Sequence, residues 1–173
     1  MNVVQRGVIR QFRHLGIRFL VVGGQAIRAY GIDRPTRDLD LWIARDLANA
    51  QAMERFLRRV QNRPPLERLQ QPNFKFTVGD PGRPDVDILT SVAGDPPFDD
   101  LYERRQALTL DGLELDVIAP ADLVAVKQAA ADKQEADAAS GALAPAEVQA
   151  ATGTAAKERK DVTFLQMWIG AGT

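Results

Sequence analysis

The sequence contains no cysteine and a single histidine, His14. The chain therefore cannot build a zinc cluster from Cys and His, use a thiol nucleophile or carry out Cys–His catalysis. His14 lies between Phe12 and Leu15 in an amphipathic N-terminal segment that offers no catalytic partner, so we interpret it as structural. The absence of cysteine is consistent with a reducing compartment.

The sequence also lacks an apolar run of about 20 residues, the length that a membrane-spanning helix needs. Its N-terminal segment has no long apolar stretch of the kind found in secretory signals. We therefore expect a cytoplasmic protein with no membrane partner. The 173 residues, 45% of them hydrophobic, are enough for one buried core.

Global attraction to nucleic acid is not indicated, because the formal net charge is −1 and aromatic residues make up only 6% of the chain. The sequence has neither a Gly-Lys-Ser/Thr phosphate loop nor an esterase-type serine elbow. Arginines do cluster locally, and contact with a phosphate backbone is the alternative to the commoner solvated helix face. The clustered arginines are Arg55, Arg58, Arg59, Arg63 and Arg68, and Arg104 with Arg105 forms a second basic pair.

A glycine pair follows the first strand-like segment. The apolar run at residues 19–22 ends in Gly23 and Gly24, which permit positive φ and a close backbone approach to a ligand. A short helical pattern follows, so the backbone N–H groups near Gly24 and Gln25 could meet a phosphate. Considered alone, the glycines are more often an ordinary tight turn.

Two acidic residues alternate with leucines shortly afterwards. In an extended strand, Asp38 and Asp40 share one face while Leu39 and Leu41 point to the core. Two acids on one face repel each other unless cations neutralise them, and carboxylate oxygens suit Mg²⁺ or Mn²⁺ held together with substrate phosphates. The alternative is a solvent-facing edge strand with alternating polar residues.

A second acidic pair occurs in the strand-like run at residues 84–89, where Asp85 and Asp87 again share a face. Asp87 is the better third carboxylate, because apolar residues flank it on both sides, whereas Asp85 follows Pro84 at the start of the run. The choice between the two acids stays open. Three converging carboxylates would bind one or two divalent ions for an in-line phosphoryl or nucleotidyl displacement.

These motifs carry a resemblance to a known superfamily. The glycine pair, the Asp38-x-Asp40 motif and Asp87 resemble the motif set of the nucleotidyltransferase fold that includes DNA polymerase β. The stretch GGQAIRAYGIDRPTRDLDLWI is most similar to the AbiEii-type and related minimal nucleotidyltransferases, many of them from bacterial toxin–antitoxin systems. The resemblance covers most of residues 15–130 and the last helix.

The resemblance implies phosphate-binding roles. Gly23 and Gly24 would lie along the triphosphate, with Gln25 at the helix start, and Thr36 would donate its hydroxyl to a phosphate. The implied cationic residues are Arg34 or Arg37, which would offset charge on the departing pyrophosphate, and Lys127, which stands at the lysine position of the family. A solvated surface charge is the alternative for each of these three cations.

The implied function is metal-dependent transfer of an NMP group from an NTP to a hydroxyl, with Mg²⁺ or Mn²⁺ as cofactor. Asp38, Asp40 and Asp87 would be the catalytic, metal-binding carboxylates. The expected acceptor is a tRNA 3′ end or a side chain of a partner protein, namely a tyrosine or serine of a partner toxin. The expected macromolecular partner is a tRNA or a cognate toxin or antitoxin protein. The alternatives are nucleotidylation of a small molecule such as an antibiotic, or a catalytically weak nucleotide-binding module that acts as an antitoxin.

We predict an α/β (α+β) nucleotidyltransferase fold, in which helices pack a small mixed sheet with an acidic rim and a helical extension follows. The predicted division is a nucleotidyltransferase domain at 1–128, an alanine-rich insertion or flexible segment at 129–156, and a C-terminal helix packing on the domain at 157–173. Breaks are expected in the alanine-rich part at Ser140-Gly141, Pro145 and Gly153. The predicted strands are 17–22, 38–43, 73–78, 84–89, 106–110 and 113–118, and the helices are 3–15, 25–30, 47–60 and those from 121 onward, with an Asp111-Gly112 hairpin turn.

Overall fold

A computed structural model of the chain describes residues 1–58, 60, 63–80 and 83–172. Within these residues the chain forms six strands and seven helices. The strands are β1 (Phe19–Val22), β2 (Leu39–Ile43), β3 (Lys75–Asp80), β4 (Arg83–Leu89), β5 (Gln106–Leu110) and β6 (Leu113–Val117). The helices are α1 (Val3–His14), α2 (Gly23–Ala29), α3 (Leu47–Leu57), α4 (Leu66–Leu69), α5 (Phe98–Glu103), α6 (Pro120–Ala139) and α7 (Pro145–Gly170).

The chain divides into two compact units, residues 1–119 and residues 120–173. The predicted boundaries at residues 128 and 156 fall inside α6 and α7, while the division into three functional parts stays a prediction. All six strands belong to the first unit, and the second unit consists of α6 and α7.

The six strands form one mixed sheet in the order β3-β4-β2-β1-β6-β5. β2 pairs in parallel with β4, and β1 pairs in parallel with β6, while the other neighbours are antiparallel. Both parallel pairs join strands that are distant in sequence, as parallel pairing requires a long crossover. This arrangement confirms the predicted α+β class with a small mixed sheet and a helical C-terminal region.

The core on one side of the sheet is built around Phe12 of α1. Its ring makes edge-to-face contacts with Phe19 of β1, with centroids 5.5 Å apart, and with Phe56 of α3, at 4.9 Å. All three rings are buried, so α1 and α3 are fixed over β1 by aromatic packing. Asn2 starts α1 in a capping box with Gln5, which defines where the helix begins.

The other side of the sheet carries Trp42 of β2, which is buried under Phe98 of α5 with ring centroids 5.0 Å apart. The indole Nε1–H donates to the Thr90 carbonyl oxygen at 3.3 Å. Trp42 lies two residues after Asp40, so the two side chains share a face of the sheet. α5 therefore covers this face beside the acidic positions.

The hairpin between β5 and β6 is confirmed at its predicted turn. Asp111 and Gly112 have φ values of 50° and 76°, the left-handed conformation that a tight two-residue turn requires. The sequence patterns did not predict α4 and α5. Both are short helices, of four and six residues, that follow a proline, and neither is long enough to show a helical period.

In the second unit, α6 and α7 pack against each other. The alanine-rich segment forms helix in both: α6 ends just before Ser140-Gly141, and Pro145 begins α7, as expected for these residues. The predicted break at Gly153 is wrong, because α7 continues through it. Ala151 and Ala155 beside it are buried, so the small side chains contribute to packing as well as to helix propensity.

No helix within the described residues combines the length and the apolar character needed to cross a membrane.

Candidate active site

Gly23 and Gly24, called here the glycine turn, lead from β1 into α2, and the turn is in direct contact with β2, the first of the two strands that carry the predicted acids. Val22 at the end of β1 pairs with Asp40 of β2, and Gly23 follows with a φ of 66°. A Cβ built on Gly23 would lie 2.9 Å from the Asp40 Cγ and closer still to a carboxylate oxygen. Two features therefore require glycine at position 23: its φ is positive, and the Asp40 carboxylate lies against its main chain.

Gly24 makes a comparable close approach to Thr36. A Cβ built on Gly24 would lie 2.8 Å from both the Cβ and the Oγ1 of Thr36. The Thr36 hydroxyl also makes a long hydrogen bond, 3.4 Å, to the carbonyl oxygen of Asp38. The segment before β2 is thus packed onto the start of α2, with Thr36 against Gly24 and Asp40 against Gly23.

Asp40 and Asp87 lie side by side on two neighbouring strands. They are register partners in the parallel pair of β2 and β4, and each is half-buried. Their sequence neighbours Leu39 and Val86 also pair and are fully buried on the opposite face. Asp38 is exposed directly before β2 begins.

Both oxygens of Asp87 have partners on the edge strand β3. Thr77 lies opposite Asp87 in the antiparallel pair, and its hydroxyl donates to Asp87 Oδ1 at 2.7 Å. The Lys75 Nζ lies 2.6 Å from Asp87 Oδ2. The sequence analysis did not single out Lys75 or Thr77. Their signal is the alternation of polar and apolar residues along 75–78, which places both on one face of a strand.

The Asp85 carboxylate has different hydrogen-bond partners from the Asp87 carboxylate. Its side chain is nearly buried, at 7% exposure, and its Oδ1 accepts a hydrogen bond of 2.6 Å from the Asn2 side chain. The Gln5 side chain donates to the Asp85 carbonyl oxygen at 2.9 Å and to the Arg37 carbonyl oxygen at 2.6 Å. Asp85 therefore helps to fasten the start of α1 to β4, and Asp87 is the acid in register with Asp40.

The remaining predicted phosphate ligands of the first unit differ in exposure. Gln25 is buried, and its Oε1 accepts from Arg28 at 3.1 Å. Arg34 is half-buried and donates to the Pro35 carbonyl oxygen at 2.5 Å, whereas Arg37 is exposed. The phosphate-binding roles of Gln25, Arg34 and Arg37 stay predictions.

Lys127 lies on α6 in the second unit and is 5% exposed. Its Nζ donates to Glu158 Oε2 at 2.7 Å and to Asp161 Oδ2 at 2.8 Å, both on α7. No local sequence pattern predicts this ion pair, because more than one turn of each helix and the intervening loop separate the partners. The predicted contact of Lys127 with a phosphate stays a prediction.

The arginine cluster of the α3–α4 region is exposed where the structure describes it. Arg68 lies over the ring of Phe74, with its Cζ 4.8 Å from the centroid. In the second basic pair, Arg105 donates to Asp116 at 3.0 Å and lies over the Tyr102 ring. Arg59 falls outside the described residues. A nucleic-acid contact of these arginines stays a prediction.

The donor chemistry at the glycine turn suits a hard divalent cation. Asp38, Asp40 and Asp87 offer only carboxylate oxygens, which Mg²⁺ and Mn²⁺ prefer. Among residues 1–58, 60, 63–80 and 83–172, no group of three or more His, Cys, Asp or Glu side chains is arranged to hold a metal ion. The Asp87 oxygens are instead directed to Lys75 and Thr77. Metal binding by these acids stays a prediction.

A known protein family matches the part of the chain that contains the candidate site. The family model described as "Nucleotidyl transferase AbiEii toxin, Type IV TA system" matches residues 9–152. This range includes the glycine turn, both acidic strands and Lys127. No curated protein was found to match the chain. The family match confirms the resemblance seen in the motifs, and the chain belongs to the AbiEii family of nucleotidyl transferase toxins of type IV toxin–antitoxin systems.

Proposed function

We propose that this chain is a metal-dependent enzyme that transfers an NMP group from an NTP to a hydroxyl acceptor. One observation carries the proposal: Asp40 and Asp87 are register partners on parallel strands, and the Asp40 carboxylate lies against the main chain of Gly23. Paired acids are thereby placed beside a glycine pair, with the Asp40 carboxylate directly against the main chain. The family, a family of nucleotidyl transferases, supports the same reaction class.

Asp38, Asp40 and Asp87 are the residues that would hold the divalent ions. When bound, Mg²⁺ or Mn²⁺ supplies charge neutralisation for the triphosphate and for the attacking and departing oxygens. Asp40 and Asp87 bring two acids onto adjacent strands, where like charges destabilise a sheet unless cations offset them, and in this structure Lys75 contacts Asp87.

In the proposed reaction, the acceptor oxygen forms a bond to the α-phosphorus while the bond from that phosphorus to the bridging oxygen breaks. Pyrophosphate leaves, and the acceptor proton passes to Asp87 as the base-side carboxylate. Gly23 and Gly24 line the triphosphate, and Arg34 or Arg37 offsets the charge on pyrophosphate.

The acceptor that we propose is a tRNA 3′ end or a side chain of a partner protein. The family is one of toxins in toxin–antitoxin systems, and this supports both an acceptor in the host cell and a cognate antitoxin as partner. The exposed arginines near α3 and α4 are suited to a phosphate backbone, which favours the RNA acceptor.

The test is incubation of the purified chain with each α-³²P-labelled NTP and with Mg²⁺ or Mn²⁺, in the presence of total cellular RNA and lysate protein. We expect label on a tRNA or protein band, lost in Asp38→Ala and Asp40→Ala. Asp100→Ala is the matched control, because Asp100 is an exposed acid on α5 outside the site, and it should label normally. Absence of label with every NTP, while nucleotide still binds, would contradict the enzyme and favour an interaction module.

A further inference from the structure

The Asp87 carboxylate is shared between a neutral and a charged partner. The Thr77 hydroxyl holds Oδ1 and the Lys75 ammonium holds Oδ2, at 2.7 Å and 2.6 Å. Asp87 is the register partner of Asp40 on β2, and Lys75 reaches Asp87 from β3, the other neighbour of β4. A cation of the protein thus contacts the carboxylate that a divalent cation would need.

We infer that Lys75 is a built-in counter-ion of Asp87, competes with the divalent cation for Asp87 and is displaced when the cation binds. This inference rests on the proposed metal site of Asp38, Asp40 and Asp87. It assigns to Lys75 a positioning role, in which it sets the affinity of the site for free metal.

The exposure of the two partners supports displacement. The Lys75 side chain is 56% exposed, whereas that of Asp87 is 14% exposed. Lys75 extends from β3, an edge strand of the sheet, on a flexible four-carbon stem. The ammonium can therefore leave Oδ2 for solvent at little cost, while Asp87 stays fixed by β4 and by its hydrogen bond from Thr77.

Displacement has a consequence for substrate order. A free divalent ion must compete with an ammonium that is already in contact with Asp87, so its own binding is weakened. A divalent ion that arrives on a triphosphate brings anionic oxygens, which attract the released ammonium. Lys75 therefore favours entry of the metal together with the nucleotide over entry of the metal alone.

The experiment is a titration of the full chain with Mn²⁺ alone, in which free Mn²⁺ is measured by electron paramagnetic resonance. We expect Lys75→Gln to bind Mn²⁺ more tightly by about twofold to fivefold, the range that corresponds to one partly exposed ion pair. Lys75→Arg should stay near the wild type. Lys133→Gln is the matched control, because Lys133 is an exposed lysine paired with Asp137 on α6, and it should leave the affinity unchanged.

Two further measurements separate the charge of Lys75 from a general loosening of the strand. Thr77→Val removes the neutral partner of Asp87 and leaves the ammonium in place, so it should not tighten Mn²⁺ binding. In EDTA, Lys75→Gln should unfold at a lower temperature than the wild type, and Mn²⁺ should raise its melting temperature by more than it raises that of the wild type. Unchanged or weaker Mn²⁺ binding in Lys75→Gln, or equal tightening in Thr77→Val, would overturn the inference.

Asp40→Asn distinguishes this inference from the proposed function. If the wild type binds Mn²⁺ and Asp40→Asn does not, the metal site stands, and an unchanged affinity in Lys75→Gln overturns the role of Lys75 alone. If Mn²⁺ does not bind to the wild type, or binds equally to Asp40→Asn, the metal site and the role of Lys75 both fail.

Discussion

The Asp40 carboxylate occupies the volume that a side chain at Gly23 would fill. The contact joins the end of β1 to the first acidic strand, and it leaves no freedom to place a larger residue in the turn. The conformation of the chain at Gly23 is therefore restricted by its contact with the Asp40 carboxylate rather than by apolar packing.

We expect Gly23→Ala to destabilise the fold and to abolish nucleotidyl transfer. The variant must adopt a positive φ, which costs about 1–2 kcal/mol for an L-residue, and its methyl group must also displace Asp40. Gly31→Ala is the matched control, because Gly31 has a φ of 80° and nothing within 4 Å of its Cβ position. Urea unfolding should show a larger loss for Gly23→Ala, and equal losses would contradict the contact with Asp40.

Asp87 and Asp85 should respond differently to the same substitution. We expect Asp87→Asn to lower transfer by about 100-fold or more, because it removes a charge from the pair with Asp40. Asp85→Asn keeps an oxygen that can accept from Asn2, so activity should remain within a few-fold of the wild type. The check is the rate of label incorporation at saturating NTP, and the opposite ranking would identify Asp85 as the third carboxylate.

Lys127 should be important for stability. Lys127→Ala removes the ammonium that bonds Glu158 and the buried Asp161, and loss of one partner of a buried ion pair costs about 3–5 kcal/mol. Lys133→Ala, which breaks an exposed pair on the same helix, should change the free energy of unfolding by at most about 0.5 kcal/mol. Urea unfolding measures both, and a small effect of Lys127→Ala would show that the ion pair contributes little.

Stability should fall in acid partly through Asp46, the N-cap of α3. Burial would raise the pKa of Asp46, but hydrogen bonds from the Asn49 N–H and from Arg18 outweigh it and lower the pKa below its ordinary value. A carboxyl of this kind stabilises the fold above its unfolded-state pKa, about 3.9, and the stabilisation is lost as pH falls through the lower folded-state pKa.

Asp46→Asn isolates this contribution, because asparagine also caps helices but cannot titrate. We expect the wild type to be more stable than Asp46→Asn near neutral pH, and the two to converge below the folded-state pKa of Asp46. Urea unfolding at a series of pH values measures the difference. Parallel curves across the acid range would show that Asp46 carries no pH-dependent stabilisation.

Local patterns predicted most of the first unit. Alternating residues identified the strands that carry Asp40 and Asp87, and the Asp111-Gly112 pair identified the hairpin, because both signals lie within a few residues. The glycine pair and the acids were expected to meet, and the structure brings Gly23, Thr36 and Asp40 together.

Contacts between distant segments could not be predicted in the same way. The register of Asp40 with Asp87 depends on the parallel pairing of β2 with β4, which no local pattern specifies. The contact of Lys75 with Asp87 depends on β3 being the other neighbour of β4. The partners of Lys127 depend on how α6 and α7 pack. Gly153 was expected to end a helix, but the buried alanines beside it stabilise α7 through packing.

The parallel pairing of β2 with β4 also has a consequence for the order in which the chain folds. Asp40 and its opposing acid are separated in sequence by α3, α4 and β3, so they meet only after a long crossover has folded. Such non-local pairing is slow compared with helix or hairpin formation. A nascent chain that has completed only β2 already contains the Asp-x-Asp motif but lacks the opposing carboxylate. The site proposed for catalysis is therefore complete only once the sheet has formed, and detachment of β3 and β4 would remove Asp87 from it without any change in the Asp-x-Asp motif.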